Sequence, residues 1–272
     1  MRKNTFALFI LFFTVSAYAS SVDTVEIYSN AMHRAFKCVV IKPENYKKEK
    51  LNFPAVYILH GHGGWYSNWI IRVPQLNEYA DKYNMILVCP EGGYASWYFD
   101  SPVDSTSRFE TYISKEVPDY IDDHYRTIRN RKARAITGLS MGGHGALFIG
   151  FRHADIFSAC GSISGGVDLK NSKSKFDIKT KLGDTIKYAK NWIDYSVITI
   201  VEKKPSDTLA VMIDCGVNDF FLPENRALHQ KLIQLKFPHD YVERSGQHDW
   251  AYWRGSIEYQ LLFFQRHLVI SN

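Results

Sequence analysis

Cysteine is scarce in this chain. Cys38, Cys89, Cys160 and Cys215 are its four cysteines in 272 residues, and none forms a CxxC pair. A small disulfide scaffold needs a denser set, and a zinc site needs closer ligand spacing, so neither organises the fold. Each of the four falls in or beside an apolar stretch, as free core cysteines do. Excess charge is also missing. Lys and Arg number 33 against 28 Asp and Glu, a formal +5, and the two signs are interspersed. That balance excludes a nucleic-acid-binding role built on a basic face. The local run Lys47-Lys48-Glu49-Lys50 reads as a solvated loop. Past residue 15 no apolar run is long enough to cross a bilayer, and no repeat or Pro/Gly-rich linker marks a second domain.

The N-terminus has the pattern of a leader. Arg2-Lys3 precedes the apolar run Phe6 to Val15, and Ala17-Tyr18-Ala19 fits a small-x-small cleavage site. This predicts a signal peptide over residues 1–19, a mature chain from Ser20, and export to the periplasm or the medium with no membrane attachment after cleavage. Loss of Arg2 and Lys3 would leave a mild +3 (5 − 2). About 250 residues remain, a size that suits one α/β domain with a sizeable core.

Apolar runs and amphipathic stretches then alternate. Strands are expected at Val25 to Tyr28, Lys37 to Ile41, Pro54 to Leu59, Met85 to Cys89, Ala135 to Thr137, Phe157 to Ser162, Leu209 to Ile213 and Tyr241 to Glu243. Helices are expected at Gln75 to Tyr83, Phe109 to Asp123 despite Pro118, after residue 140, and Trp250 to Arg266. Such alternation implies a mostly parallel sheet with helices on both faces and a ligand site at the carboxyl ends of the strands. Residues 167–205, polar and lysine-rich around Trp192 and Tyr195, interrupt the pattern and read as a partly helical, cap-like insertion over that site.

The chemistry concentrates at Gly138-Leu139-Ser140-Met141-Gly142, between an expected strand and an expected helix. In that context GxSxG is a nucleophile elbow: the glycines permit a sharp turn that projects the Ser140 hydroxyl. A serine hydroxyl needs a base to take its proton, and a histidine base needs a carboxylate to fix its tautomer. Downstream, His144 lies in the helix after the elbow, His153, His229 and His267 lie within or beside helices, and His239 begins the last strand. His248 alone occupies the loop after that strand, which favours it as the base. For the acid, Asp219 lies in a loop long enough to reach His248. Asp214, still at a strand end, reads as structural, and Asp249 sits too close in sequence to face its neighbour.

A second glycine-rich loop, Leu59-His60-Gly61-His62-Gly63-Gly64, follows the strand expected beside the elbow. The backbone N–H groups of His62 and Met141 are candidates for an oxyanion hole. The rival use of His60 and His62 as metal ligands finds no Asp/His cluster to complete it, so no metal and no cofactor are expected. Trp65, Trp69, Trp97, Trp250 and Trp253, with Tyr66, Tyr98 and Tyr252, fall in or beside loops expected to ring the site. Of these, Trp65, Trp97, Tyr98 and Trp253 are candidates for stacking on a sugar or phenolic ring.

These stretches resemble the esterase D group of α/β-hydrolases. The group includes S-formylglutathione hydrolases, tributyrin-type esterases, feruloyl and acetylxylan esterases, and mycolyltransferases. The likeness is carried by Leu59-His60-Gly61, Ser96-Trp97-Tyr98-Phe99-Asp100-Ser101-Pro102, Gly138 to Ala146 and Gly246-Gln247-His248-Asp249-Trp250. It implies an α/β-hydrolase fold, Ser140 as nucleophile, Asp219 as acid, His248 as base, and no cofactor. The expected activity is hydrolysis of acetyl or feruloyl esters on polysaccharides. A general short-chain esterase, an S-formylglutathione hydrolase-like thioesterase or an acyltransferase stands as the alternative. From another class, a catalytically dead carbohydrate-binding module remains, and the intact Ser, Asp and His argue against it.

Overall fold

The computed structural model describes residues 21–48, 50–172, 175–203 and 209–269. The leader expected over 1–19 lies outside the described residues. An eight-stranded sheet organises the chain in the order β1-β2-β4-β3-β5-β6-β7-β8. Its strands are β1 (Ser21–Ser29), β2 (Arg34–Lys42), β3 (Ala55–Leu59), β4 (Ile86–Pro90), β5 (Arg134–Gly138), β6 (Ala159–Ile163), β7 (Ala210–Gly216) and β8 (Asp240–Arg244). β1, β2 and β4 pair antiparallel, and from β4 to β8 every pairing is parallel.

The helices are α1 (Asn45–Lys48), α2 (Asn68–Arg72), α3 (Leu76–Tyr83), α4 (Phe109–Thr111), α5 (Val117–His124), α6 (Met141–Arg152), α7 (Lys179–Leu182), α8 (Ala189–Asp194), α9 (Val197–Lys203), α10 (Leu222–Gln234) and α11 (Trp250–His267). The single helix expected over 109–123 is divided. A π-helical turn, Tyr112–Glu116, separates α4 from α5, and the Val117 N–H reaches back to the Tyr112 carbonyl. Pro118 is the physical reason: it has no N–H to close the ordinary turn, so the backbone widens just before it.

Two apolar layers cover the sheet, and strand periodicity assigns residues between them. In β3, Ala55, Tyr57 and Leu59 face one layer while Val56 and Ile58 face the other. The first layer receives Val117 and Ile121 of α5, Ala146 to Ile149 of α6, and Leu228 and Leu232 of α10. The second receives Leu76 and Ala80 of α3 and Ile257, Leu261 and Phe264 of α11. Burial on both faces explains why the central strands read as unbroken apolar runs. The four cysteines are free and buried, and burial pushes their thiols above the ordinary range, which keeps them neutral.

The insertion shares this core. Val167, Leu169, Ile178, Leu182, Trp192, Val197, Ile200 and Val201 belong to the first layer. Its short helices therefore pack by their apolar residues, while all but one of its described lysines are exposed, Lys181 being half-buried.

Candidate active site

β5 delivers Ser140. The strand ends at Gly138, and α6 starts at Met141, leaving no room for a relaxed connection. Ser140 adopts φ 55° and ψ −116°, a region costly for a residue with a Cβ. The turn is held by close backbone approach. A Cβ on Gly142 would lie 2.5 Å from the carbonyl oxygens of both Leu59 and His60, and one on Gly138 would lie 2.6 Å from the Gly142 carbonyl. Only glycine fits at either position. The Ser140 N–H donates to the Ile163 carbonyl at 2.9 Å, which ties the elbow to β6.

β7 and β8 end side by side and deliver the other two groups. The Asn218 N–H donates to the Gly246 carbonyl and the Val217 N–H to the Arg244 carbonyl, both at 2.9 Å, so the two loops are cross-linked. The Asp219 side chain is fully buried, takes the Phe221 N–H at 2.8 Å, and lies 2.9 and 3.1 Å from His248 Nδ1. His248 Nε2 stands 2.9 Å from Ser140 Oγ. With the carboxylate on Nδ1, the proton of a neutral imidazole sits there, and Nε2 presents its lone pair to the serine hydroxyl. The structure thus brings together three side chains separated by 79 and 29 residues (219 − 140, 248 − 219).

The rival acids are engaged elsewhere. Asp214 accepts from Tyr252, Arg244 and Ser256 in the core, where burial raises its carboxyl above the usual range. Asp249 caps α11 by accepting the Tyr252 N–H at 3.0 Å.

The second glycine loop passes beside the elbow. A Cβ on Gly61 would lie 3.5 Å from Ser140 Cβ, and neither the His62 N–H nor the Met141 N–H has a hydrogen-bond acceptor among the described residues. Both N–H groups are available to an oxyanion. His60 and His62 do not converge as a metal pair. His60 Nε2 accepts the Gly92 N–H and its Nδ1–H donates to the Gly61 carbonyl, both at 2.8 Å. His62 Nε2 lies 2.9 Å from Asp177 of the insertion. His144 is buried with its pKa lowered to about 3 by loss of solvent, so its neutral Nε2–H donates to the Tyr195 carbonyl at 3.0 Å.

A cleft of about 310 Å³ opens over Ser140. Trp65 and Trp253 line it, with Trp250 and Phe176. Trp253 meets His248 edge-on at 4.9 Å. Trp97 and Tyr98 correct the expectation of exposed stacking residues: they are 1% and 0% exposed and do not line the cleft. Each spends its polar atom on a backbone carbonyl, Trp97 Nε1 on Phe176 and the Tyr98 hydroxyl on His60, both at 2.9 Å. Trp69 is likewise buried, its Nε1 donating to the Leu59 carbonyl. They support the two loops from beneath. Phe176 and Phe220 were missed. Their rings lie nearly parallel at 6.2 Å, and Phe220 stands 4.2 Å from the His248 ring. The signals were a lone phenylalanine in a lysine-rich stretch and the Phe220-Phe221 pair directly after Asp219.

The Esterase family model, described as "Putative esterase", matches residues 29–264. An acetyl esterase of Caldicellulosiruptor saccharolyticus is 24% identical over 256 residues, covering 87% of this chain and 95% of its own. A solved ferulic acid esterase superposes with a TM-score of 0.80 at 28% identity, over 93% of this chain and all of its own. An S-formylglutathione hydrolase from Agrobacterium tumefaciens shares the fold, with a TM-score of 0.77 at 20% identity over 93% of this chain and 98% of its own.

Proposed function

The chain belongs to the Esterase family of α/β-hydrolase-fold ester hydrolases, and from that premise we propose that it hydrolyses acetyl or feruloyl esters on polysaccharides through an acyl-enzyme on Ser140. The observation that carries this reading is the row Asp219, His248, Ser140, with 2.9 Å at each step. Ser140 Oγ attacks the ester carbonyl as His248 Nε2 takes its proton. Asp219 holds the Nδ1–H and stabilises the imidazolium. The N–H groups of Met141 and His62 receive the developing oxyanion. His248 then protonates the departing alcohol, and later activates the water that releases the acid.

The cleft supports the substrate class. At about 310 Å³ it stands at the low end of ligand sites, which suits a small or phenolic acyl group better than a long lipid chain. Its aromatic walls suit a planar ring or a sugar face. The names of the acetyl esterase and ferulic acid esterase point the same way. Export through the leader at 1–19 would bring the enzyme to such polymers, and the insertion at 167–205 would act as a cap over the cleft.

The test is release of acetate and ferulate, read separately, from acetylated and feruloylated xylan. Release of either, abolished in Ser140→Ala, is the expected result. Turnover of p-nitrophenyl acetate with no release from xylan would leave a general short-chain esterase. Sugar binding with no ester turnover would favour a non-catalytic binding module.

A further inference from the structure

The mouth of the cleft carries positive charge with no counterpart. Arg72, the last residue of α2, is exposed and lines the cleft. Its guanidinium has no carboxylate, carbonyl or aromatic partner among the described residues. Arg254 of α11 donates its Nε–H to the Arg72 carbonyl at 2.7 Å, which brings a second guanidinium to the same edge. Arg254 has no ion pair among the described residues either. Other arginines of the chain are ion-paired, Arg129 with Asp123, Arg152 with Glu110, Arg226 with Glu243 and Arg244 with Asp214.

Among the described residues, no Asp or Glu lines this cleft. The acids beside its wall are committed, Asp177 to His62, Asp219 to His248 and Asp249 to the cap of α11. Trp253, which also lines the cleft, has an indole N–H with no acceptor among the described residues. The mouth therefore offers donors and positive charge, and no carboxylate is part of its described lining. Arginine matches a carboxylate in a planar, two-point geometry that lysine does not reproduce.

Resting on the esterase reading above, we propose that Arg72, supported by Arg254, forms a carboxylate subsite, and that the preferred ester carries an acidic group. A uronic-acid-bearing saccharide would present it on the alcohol side, and a dicarboxylic half-ester on the acyl side.

Two matched pairs of substrates separate these sources. 4-Acetoxybenzoate against its methyl ester puts the charge on the alcohol; p-nitrophenyl hydrogen succinate against p-nitrophenyl butyrate puts it on the acyl group. For each pair, the ratio of kcat/KM, anionic over neutral, is measured in wild type, Arg72→Gln, Arg72→Lys and Arg254→Gln. The expected result is that in one pair Arg72→Gln lowers this ratio about tenfold, the size of one good charge-assisted contact. Arg72→Lys should restore it in part, Arg254→Gln should lower it less, and the wild-type ratio should fall with added salt. Because each ratio is taken within one variant, an effect common to both members of a pair cancels. Ratios that stay the same in both pairs would overturn the subsite while leaving the esterase reading intact. Absence of turnover of every ester by wild type would instead sink the esterase reading itself.

Discussion

The elbow and the insertion are built by opposite means. From Met141 to Phe151 every residue of α6 is buried, and the turn before it is fixed by backbone atoms too close for any added carbon. The insertion contains helices of four, six and seven residues. Beyond the apolar residues it lends to the core, it is tied to the rest of the molecule by single side-chain hydrogen bonds. Trp97 holds the Phe176 carbonyl, Ser101 the Lys181 carbonyl, and His144 the Tyr195 carbonyl. Many of its charges pair in solvent, as Lys190 and Lys203 do with Asp194. The elbow is a steric constraint, which a mutation breaks or spares. The insertion is a sum of small attachments that can be exchanged one at a time. Chemistry fixed by the first and selection tuned by the second is the division this difference implies.

The largest effects should fall on the elbow and its partners. Ser140→Ala should reduce kcat on p-nitrophenyl acetate by about 10⁴-fold or more while leaving the fold unchanged, because only the hydroxyl is lost. Gly142→Ala should lose stability as well as activity. Its new carbon would meet two carbonyl oxygens at 2.5 Å, a clash worth about 3 kcal/mol if the turn does not shift. Urea unfolding checks it, and a wild-type midpoint with normal turnover would show that the elbow has slack the geometry denies.

The joint between the two regions gives the next effect. Glu224, at the start of α10, accepts the Asp168 N–H at 3.1 Å and so anchors the root of the insertion. Burial raises its carboxyl to about 7 from an ordinary 4.5. A carboxyl raised in the folded state keeps its proton while the unfolded chain loses it. Stability therefore falls as pH rises from about 4.5 to about 7 and is level beyond. The loss should be on the order of 3 kcal/mol. Glu224→Gln, which keeps the acceptor and removes the titration, should flatten that slope in unfolding measured at pH 4.5 and pH 8. An unchanged slope would mean that the joint titrates as freely as a surface residue.

The same division explains what could be read without coordinates. Central strands buried on both faces announce themselves as apolar runs, so β3, β4 and β7 lay close to where they were expected. The row of Ser140, Asp219 and His248 was legible because chain order and strand-end position reduce the candidates to few. Trp97 and Tyr98 were misplaced for a physical reason: nothing in a local pattern tells an aromatic that stacks on a ligand from one that props a loop. The π turn before Pro118 required knowing which carbonyl the proline leaves without a donor. Phe176 sits in a polar stretch whose burial depends on the distant partners Trp97 and Phe220, and no periodicity carries that information.

Smaller effects belong to the insertion. Phe176→Ala should raise KM on a feruloyl ester up to about tenfold, the worth of one aromatic contact, with little change on acetyl esters. Trp253→Ala should act in the same direction. Trp97→Ala should instead cost about 3 kcal/mol or more in stability, since its ring is fully buried. Steady-state kinetics on both esters, with unfolding of each variant, distinguishes the two outcomes. A KM effect of equal size on feruloyl and acetyl esters would make Phe176 a packing residue.

The smallest expected effect tests whether the insertion does more than select. Asp177 holds the imidazole of His62, whose backbone N–H has no acceptor among the described residues, and the backbone at Phe176 and Asp177 has positive φ at both residues. If that contact steadies the oxyanion loop, Asp177→Asn should lower kcat about two- to threefold with KM unchanged, because an exposed pair is worth under about 1 kcal/mol. Binding of a boronic acid, which places a tetrahedral oxygen where the oxyanion forms, should weaken by the same factor. Unaltered kcat and boronate affinity would confine the insertion to the walls of the cleft, and the oxyanion site would then be the work of the two glycine-rich turns alone.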